Sequence, residues 1–402
     1  MTLPVLISGA GLGGVCLAQA LKKNNIPFKI FERYGQSNVS AQGYRLRITT
    51  HGVEALEKAL TPEMFTLFEK TCADAPKLGV RVKPDGSTVP FGGPPGGPGG
   101  PGGRAFTVDR SVFRDTLLTG LEGNVFFEKN LEHYTLHEDR VTVSFSDGTT
   151  EDGALLVGAD GVRSCVRRQH IPNFKGLDTG MRIIFGKTPL TPEFLAKLPE
   201  EYRDGMSLVT NEDDNSQPVL MFESIQFPHA EEVSTLNMPG PYMYWVLVVH
   251  HSKIPSSDQD SWHLSSSEAA NLANQLTSSW DPHIRTIFEM SDINQTSIRS
   301  ILSAGPEIDP WRPSSRVTLL GDAAHVMPPT GAMGANTALR DAADLAQRIV
   351  SVGGVQNVDE AMVGSYEMDL RDFAKTAIEL SWRGGMKSFG LIPVEECEPI
   401  SM

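Results

Sequence analysis

The sequence predicts an α/β fold in which a parallel-sheet domain, assembled from both ends of the chain, carries an inserted domain of antiparallel sheet. Three observations predict it. The chain opens as an apolar strand, a glycine-rich turn and a helix. Its middle changes to long alternating segments, and near Val317 the opening style returns. Strands separated by helical patterns imply parallel crossovers, whereas sustained alternation with few helices implies antiparallel pairing.

Residues 4–8 are a short apolar run and read as the first strand. Leu12, Val15, Cys16 and Leu21 keep the three-and-four spacing of a helix buried on one face, and Phe28–Phe31 is the next strand. Val53, Leu56 and Leu60 predict a second helix. Residues 78–82 and 88–91 are expected as strands joined by a Pro84-Asp85-Gly86 turn. Residues 92–103 read GGPPGGPGGPGG, with no side chains to bury, and are expected to form a mobile loop. Phe113, Leu117, Leu118 and Leu121 predict another helix, after which alternating strands lead to residues 154–157.

From Lys175 to Ser303 the segments 181–187, 219–227 and 242–250 predict the antiparallel sheet, with helices at 268–280 and 282–289. Residues 317–320 read as a strand of the first kind, followed by a helix from about Gly334 to Val350. Residues 358–387 are largely helical. The domains therefore fall at 1–174 and 304–350 for the two parts of the nucleotide-binding domain. The inserted substrate domain takes 175–303, and a C-terminal helical segment takes 351–402.

Composition narrows the partners. The 402 residues carry a net charge of −14 and no run of Lys and Arg, which argues against nucleic acid or an anionic membrane surface. Cys16, Cys72, Cys165 and Cys397 lie far apart without a CxxC pair. They read as reduced thiols of a cytoplasmic protein and exclude chemistry that needs a close redox-active pair. No apolar stretch approaches the roughly 20 residues of a membrane span. No secretory signal is legible, because residues 3–8 already read as a strand. No metal site is assigned.

Three motifs carry the chemistry. Gly9-Ala10-Gly11-Leu12-Gly13-Gly14 fits GxGxxG between a strand and a helix. Gly9 permits the tight turn, Gly11 lets a pyrophosphate approach the backbone, and Gly14 lets helix and strand pack closely. The helix N-terminus then offers free N–H donors to the phosphates. Glu32 ends the second strand about 20 residues on, where a carboxylate accepts from ribose hydroxyls. This Rossmann-like motif leaves open which dinucleotide is bound. The second motif is Gly158-Ala159-Asp160-Gly161-Val162-Arg163-Ser164, followed by Arg167 and Arg168. The third is Gly321-Asp322-Ala323-Ala324-His325, continuing through Pro328, Pro329, Gly331, Gly334, Ala335 and Asn336 to Asp341.

With these motifs in this order, the chain resembles over nearly its whole length the group A, aromatic-hydroxylase-like flavin monooxygenases of the p-hydroxybenzoate hydroxylase fold. The resemblance implies a three-layer, glutathione-reductase-type FAD-binding domain. It sets Gly321 and Asp322 at the ribityl or pyrophosphate region of FAD. Residues 328–336, with Pro329, Gly334 and Ala335, would lie along the isoalloxazine ring, and the following helix would favour anionic reduced flavin. Arg110 in DRSVFRDTLL matches the family arginine that reaches the cofactor. Arg45 in GYRLRIT matches a position near the flavin, with Arg47 close enough to leave the choice open. Asp160 would support both FAD and nicotinamide, with Arg163 and Ser164 stabilising its turn, and Arg33 joins the cofactor-binding residues.

Arg182 is the candidate charge in the substrate pocket, where it would bind a phenolate or steer a proton; a solvent-facing strand arginine is the competing reading. His325 reads as a packed or backbone-bonded histidine. The implied reaction uses NADH or NADPH and molecular oxygen to oxygenate a small organic substrate by way of a flavin C(4a) hydroperoxide. That substrate is expected to be aromatic or polycyclic, of the kind met in secondary metabolism. Hydroxylation, epoxidation and Baeyer–Villiger insertion stay open. A reductase or dehydrogenase of the same fold and a non-catalytic flavin-binding accessory protein are the alternatives. Halogenases lose ground because a WxWxIP signature is missing, and no GxSxG elbow suggests a hydrolase.

Overall fold

The protein is described by a computed structural model covering residues 2–35, 45–74, 78–89, 104–211, 217–254 and 264–402. The glycine- and proline-rich stretch at 92–103 lies outside the described residues.

The opening run is β1 (Val5–Ser8), α1 (Leu12–Lys23) and β2 (Phe28–Phe31). Next come β3 (Arg45–Ile48), α2 (Thr50–Ala59) and α3 (Pro62–Lys70). The pair β4 (Leu78–Val82) and β5 (Thr88–Val89) flanks the Pro84-Asp85-Gly86 turn, and β6 (Phe106–Asp109) leads into α4 (Arg110–Leu118). Short β7 (Val125–Phe126) is followed by β8 (Leu131–Leu136), β9 (Val141–Phe145) and β10 (Thr150–Gly153). Then β11 (Leu155–Gly158) and α5 (Cys165–His170) close the first part.

The middle of the chain holds β12 (Lys175–Pro189), α6 (Pro192–Lys197), β13 (Met206–Val209), β14 (Val219–Ile225) and β15 (Tyr242–His250). It ends with α7 (Ser266–Leu276), α8 (Pro282–Glu289) and β16 (Ser297–Ala304). The last part is β17 (Val317–Leu319), α9 (Asp322–His325), α10 (Met333–Ser351), α11 (Glu360–Phe389) and β18 (Glu398–Ser401).

Two sheets organise these elements. The first is parallel, in the order β17-β11-β1-β2-β7. Its strands β1 and β11 are buried at every position, as expected of a sheet covered on both faces. Leu156 pairs with Val317, so the far end of the chain completes a sheet that the first residues begin. Helices α1, α2 and α10 and the three-stranded β8–β9–β10 sheet pack into the same core.

The second sheet runs β16-β12-β15-β14-β13-β4-β5, with β18 added to β12. Alternation along β12 and β15 separates two cores. Ile184, Trp245, Leu247 and Val249 face α6, α7 and α8, whereas Ile183, Val246 and Val248 face Met327 and the Trp382 side of α11. This sheet reaches back beyond residue 174, because β4 and β5 from the first segment pair into it. Among the described residues no helix is long and apolar enough to cross a membrane. All four cysteines are free, and burial pushes the Cys16 thiol up to about 12.

Candidate functional site

The GxGxxG turn takes the shape its glycines allow. Gly9 has φ +104°, and a Cβ there would overlap the Ala159 backbone; one on Gly14 would overlap the Gly9 carbonyl oxygen. Gly11, the N-cap of α1, is extended, and nothing lies within 4 Å of where its Cβ would stand. The turn is thus closed by backbone on one side and open at Gly11.

Around it lies a charged shell. Buried Glu32 accepts from the Ala10 N–H (2.9 Å) and the Tyr34 N–H (3.1 Å). Arg114 donates through Nε to the Ala10 carbonyl (2.6 Å). Burial holds its guanidinium below the ordinary arginine range, and Glu32 opposes that shift. Arg114 is absent from the sequence-derived site. It lies one helical turn after Arg110 in the same segment, and that i, i+4 spacing is the signal that could have found it.

Arg33 donates to the Asp160 carbonyl (2.5 Å), which joins the end of β2 to the second motif. The Asp160 carboxylate accepts from Ser164 Oγ (2.5 Å) and the Cys165 N–H (2.7 Å), so it is held within its own turn. Fully buried Arg167 links the second motif to the third, donating to the carbonyls of Val162 (2.7 Å) and Ala323 (3.1 Å). Burial lowers its pKa to about 10.

In the third motif Gly321 has φ +60° and starts α9 without a side-chain cap. Asp341 anchors this turn: its Oδ2 accepts from the Gly321 N–H (3.0 Å) and lies 2.6 Å from His325 Nε2. His325 and Asp341 are both fully buried. Burial works against the imidazolium, but the charge and hydrogen bond of Asp341, with the charge of Asp322 and a backbone hydrogen bond, together raise the His325 pKa. This histidine braces the fold through a carboxylate in addition to its backbone.

Asp322 lies differently. It is exposed to solvent, with charged His325, Arg110 and Arg167 around it. Burial pushes its carboxyl up, against the charges of His325, Arg110 and Arg167. Arg110, half-buried at the first position of α4, is lowered by burial, with Asp322 the leading opposing charge. The two feel each other without a hydrogen bond between them among the described residues.

Beyond α9, Pro329 is exposed, and Gly334 and Ala335 are half-buried. Helix α10 starts from Ala332, a non-glycine residue at φ +57° with no side-chain cap. Asn336 fixes that start. It donates to the carbonyls of Ala332 (2.5 Å) and Arg47 (2.8 Å) and accepts from the Thr49 N–H (2.9 Å). Thr330 Oγ1 donates to the Ser381 carbonyl, tying the segment to α11.

Packing and hydrogen bonds thus join the turn of Gly9, Gly11 and Gly14 to Glu32, and Arg33 to Asp160 of the second motif. Arg110 and Asp322, the latter next to Gly321, interact through their charges, and Pro329, Gly334 and Ala335 belong to the segment that runs from α9 into the first turn of α10. Arg45 approaches from β3 and pairs with Glu223 of β14 at 2.7 Å. Arg182 is not brought to this group, which corrects the expectation that it supplies the pocket's charge. It pairs across the sheet with Val249, on the face covered by α6, α7 and α8, and both Asp178 carboxylate oxygens engage its guanidinium (3.0 and 3.2 Å). Strand alternation instead turns Lys187 and Arg299 toward the opposite face, the one that packs with Met327 and α11.

Comparison with known proteins places this geometry. A family model described as FAD binding domain matches residues 118–381. The dual O-methyltransferase/FAD-dependent monooxygenase elcB of Phaeosphaeria nodorum is 37% identical, over 98% of this chain and 47% of that protein. The chain thus spans about half the length of that relative. The FAD-dependent monooxygenase thnD of Trichoderma harzianum is 28% identical over 95% of this chain and 93% of its own. A Photorhabdus luminescens subsp. laumondii protein described as a FAD-containing monooxygenase superposes with a TM-score of 0.78 at 29% identity. That match covers 96% of this chain and 99% of the other.

Proposed function

The chain belongs to the FAD-binding-domain family, and from that membership we propose that it is a FAD-dependent monooxygenase that uses NAD(P)H and molecular oxygen to oxygenate a small organic substrate. The observation that carries the fit to FAD is where helices begin without a side-chain cap. Gly11, Gly321 and Ala332 start α1, α9 and α10 in this way, each within the first or third motif. Uncapped starts leave N–H donors and a positive dipole end for a ligand with phosphates and an electron-rich ring.

The residues divide the work accordingly. The open Gly11 turn receives the pyrophosphate, and Glu32 is positioned for the adenosine ribose. Asp322 and Arg110 offer an acceptor and a cation to the ribityl and phosphate groups between. Residues 329–335 and the α10 N-terminus flank the flat ring. When bound, FAD supplies hydride acceptance from the nicotinamide and the activation of oxygen. The protein contributes binding, orientation and a helix dipole that favours negative charge at the ring edge. The substrate is proposed to be aromatic or polycyclic, held against the cofactor-side face of the second sheet, where Tyr242, Tyr244 and Lys187 stand.

The test supplies NAD(P)H, isotope-labelled molecular oxygen and a panel of phenolic and polycyclic compounds, with products followed by mass. A substrate should gain one labelled oxygen atom and accelerate flavin reduction. A product that forms at full rate without oxygen, or takes its new oxygen from water, would refute the monooxygenase reading.

A further inference from the structure

The ribbon of β3 and β6 places Arg45 directly opposite Asp109. Directly opposed residues of an antiparallel pair present their side chains on one face. Facing them, the register of β12, β15 and β14 sets Lys187, Tyr244 and Glu223 in a single row across the second sheet. Two ion pairs join ribbon to row, Arg45–Glu223 and Lys187–Asp109, each at 2.7 Å. Both carboxylates are nearly inaccessible: the Asp109 side chain is 1% exposed and that of Glu223 2%. Tyr242 adds a hydrogen bond from its hydroxyl to Asp109 Oδ2 (2.8 Å), and the Lys187 ammonium lies 4.4 Å from the Tyr242 ring centre.

Asp109 also serves a second element. Its Oδ1 accepts from the N–H groups of Ser111 (2.9 Å) and Val112 (3.2 Å), which makes it the N-cap of α4. The next residue is Arg110. One carboxylate therefore holds the start of the helix that presents Arg110 with one oxygen, and the second sheet with the other.

We infer that Asp109 and Lys187 are positioning residues of the cofactor site: with Arg45–Glu223 they clamp the β3–β6 ribbon onto the second sheet and so fix Arg45 and Arg110 against the flavin. This rests on the FAD reading above. A ligand that displaces Lys187 on the substrate side would disturb the α4 cap and with it Arg110, which gives substrate occupancy a direct route to the cofactor.

The experiment is a FAD titration by flavin fluorescence of the 402-residue apo chain, with thermal melts of each apo form. It uses the parent, Lys187→Met, Lys187→Arg, Tyr242→Phe and Glu223→Gln. Lys187→Met should weaken FAD binding about tenfold, the scale of coupling through one shared ion-pair network. Lys187→Arg should restore it to within about twofold, since the charge returns. A role in stability alone would lower the melt and leave affinity untouched at temperatures well below it. The inference is overturned if Lys187→Met binds FAD like the parent. Should Lys187→Met fail to fold, Glu223→Gln tests the same clamp from its other pair, and parent-like affinity there overturns it equally. A parent that does not bind FAD would instead strike the cofactor reading itself.

Discussion

Nearby protein raises the pKa of the Asp322 carboxyl by burial, and burial likewise lowers that of the half-buried Arg110 guanidinium, its electrostatic neighbour. Each charge is held where it is unfavourable, and no hydrogen bond between them offsets this among the described residues. Such an arrangement makes sense when a third party with donors and phosphates bonds to both. Asp322→Ala separates binding from folding on this account. FAD affinity should fall by about tenfold or more, since ribityl donors lose a partner worth roughly 1–3 kcal/mol. The apo chain should melt no lower than the parent, because the lost charge was already unfavourable. Titration and apo melts check both halves; unchanged affinity would show that Asp322 lies off the cofactor's path. His325, three residues on, is the contrast. It too is a titratable group in the third motif, but its ring is spent on Asp341, and it belongs to the scaffold.

Helix starts make the same distinction among elements. The helices α3, α4, α5, α6, α7, α8 and α11 are capped by the side chains of Thr61, Asp109, Ser164, Thr191, Ser265, Asp281 and Asp359. Helices α1, α9 and α10, which start in the first and third motifs, are not, and neither is α2. Two glycines of the α1 turn test this from opposite sides. A Cβ at Gly14 would overlap the Gly9 carbonyl and push α1 off β1, so Gly14→Ala should destabilise the apo chain by about 1–3 kcal/mol. Gly11 is extended with open space before it, so Gly11→Ala should leave apo stability within about 0.5 kcal/mol. It should still weaken FAD binding by about tenfold or more, because the methyl takes the place of the approaching phosphates. Denaturant melts and FAD titration read the split; a Gly11→Ala chain that binds FAD normally would move the pyrophosphate elsewhere.

The α1 turn is legible in the sequence because its chemistry is local, a GxGxxG stretch where a strand meets a helix. Helix α3 escapes a reading by periodicity although Thr61-Pro62-Glu63 is a capped start, since only Phe68 of its residues is fully buried and the apolar rhythm is faint. The parity of β12 is the costlier omission: alternation alone separates Lys187 from Arg182, but which face meets the cofactor is a tertiary fact.

At the scale of the whole molecule, the split nucleotide-binding domain is readable because residues 317–325 repeat the strand-then-glycine style of the opening. The exchange of β4, β5 and β18 into the second sheet is not, because pairings across a hundred or more residues leave no local mark. The two halves are joined by α11, whose 30 residues enter both cores. Val363, Tyr366 and Leu370 pack beneath the parallel sheet, and Ile378, Trp382 and Phe389 against the second. At the first of these contacts Glu367 is fully buried and accepts from Thr318 Oγ1 of β17 at 2.9 Å. Burial pushes its carboxyl up to about 7, against the opposing charge of Arg371. A carboxyl raised in the folded state favours the proton there more than in the unfolded chain. Its contribution to stability is therefore complete below pH about 4.5 and is lost as pH rises through about 7. The loss amounts to about 3 kcal/mol, since each tenfold difference in proton affinity between the folded and unfolded chain is worth about 1.4 kcal/mol. His325, also raised, acts in the same direction, whereas His170, lowered by burial, acts in the opposite one, so the parent's profile alone does not isolate Glu367. Glu367→Gln does, because an amide keeps an acceptor for Thr318 and carries no charge at any pH. Urea unfolding of apo parent and variant should give similar stabilities near pH 5 and a variant more stable than the parent by pH 8. A difference that stays constant across that range would mean that Glu367 does not titrate between them, and that the seal between α11 and the parallel sheet is insensitive to its charge.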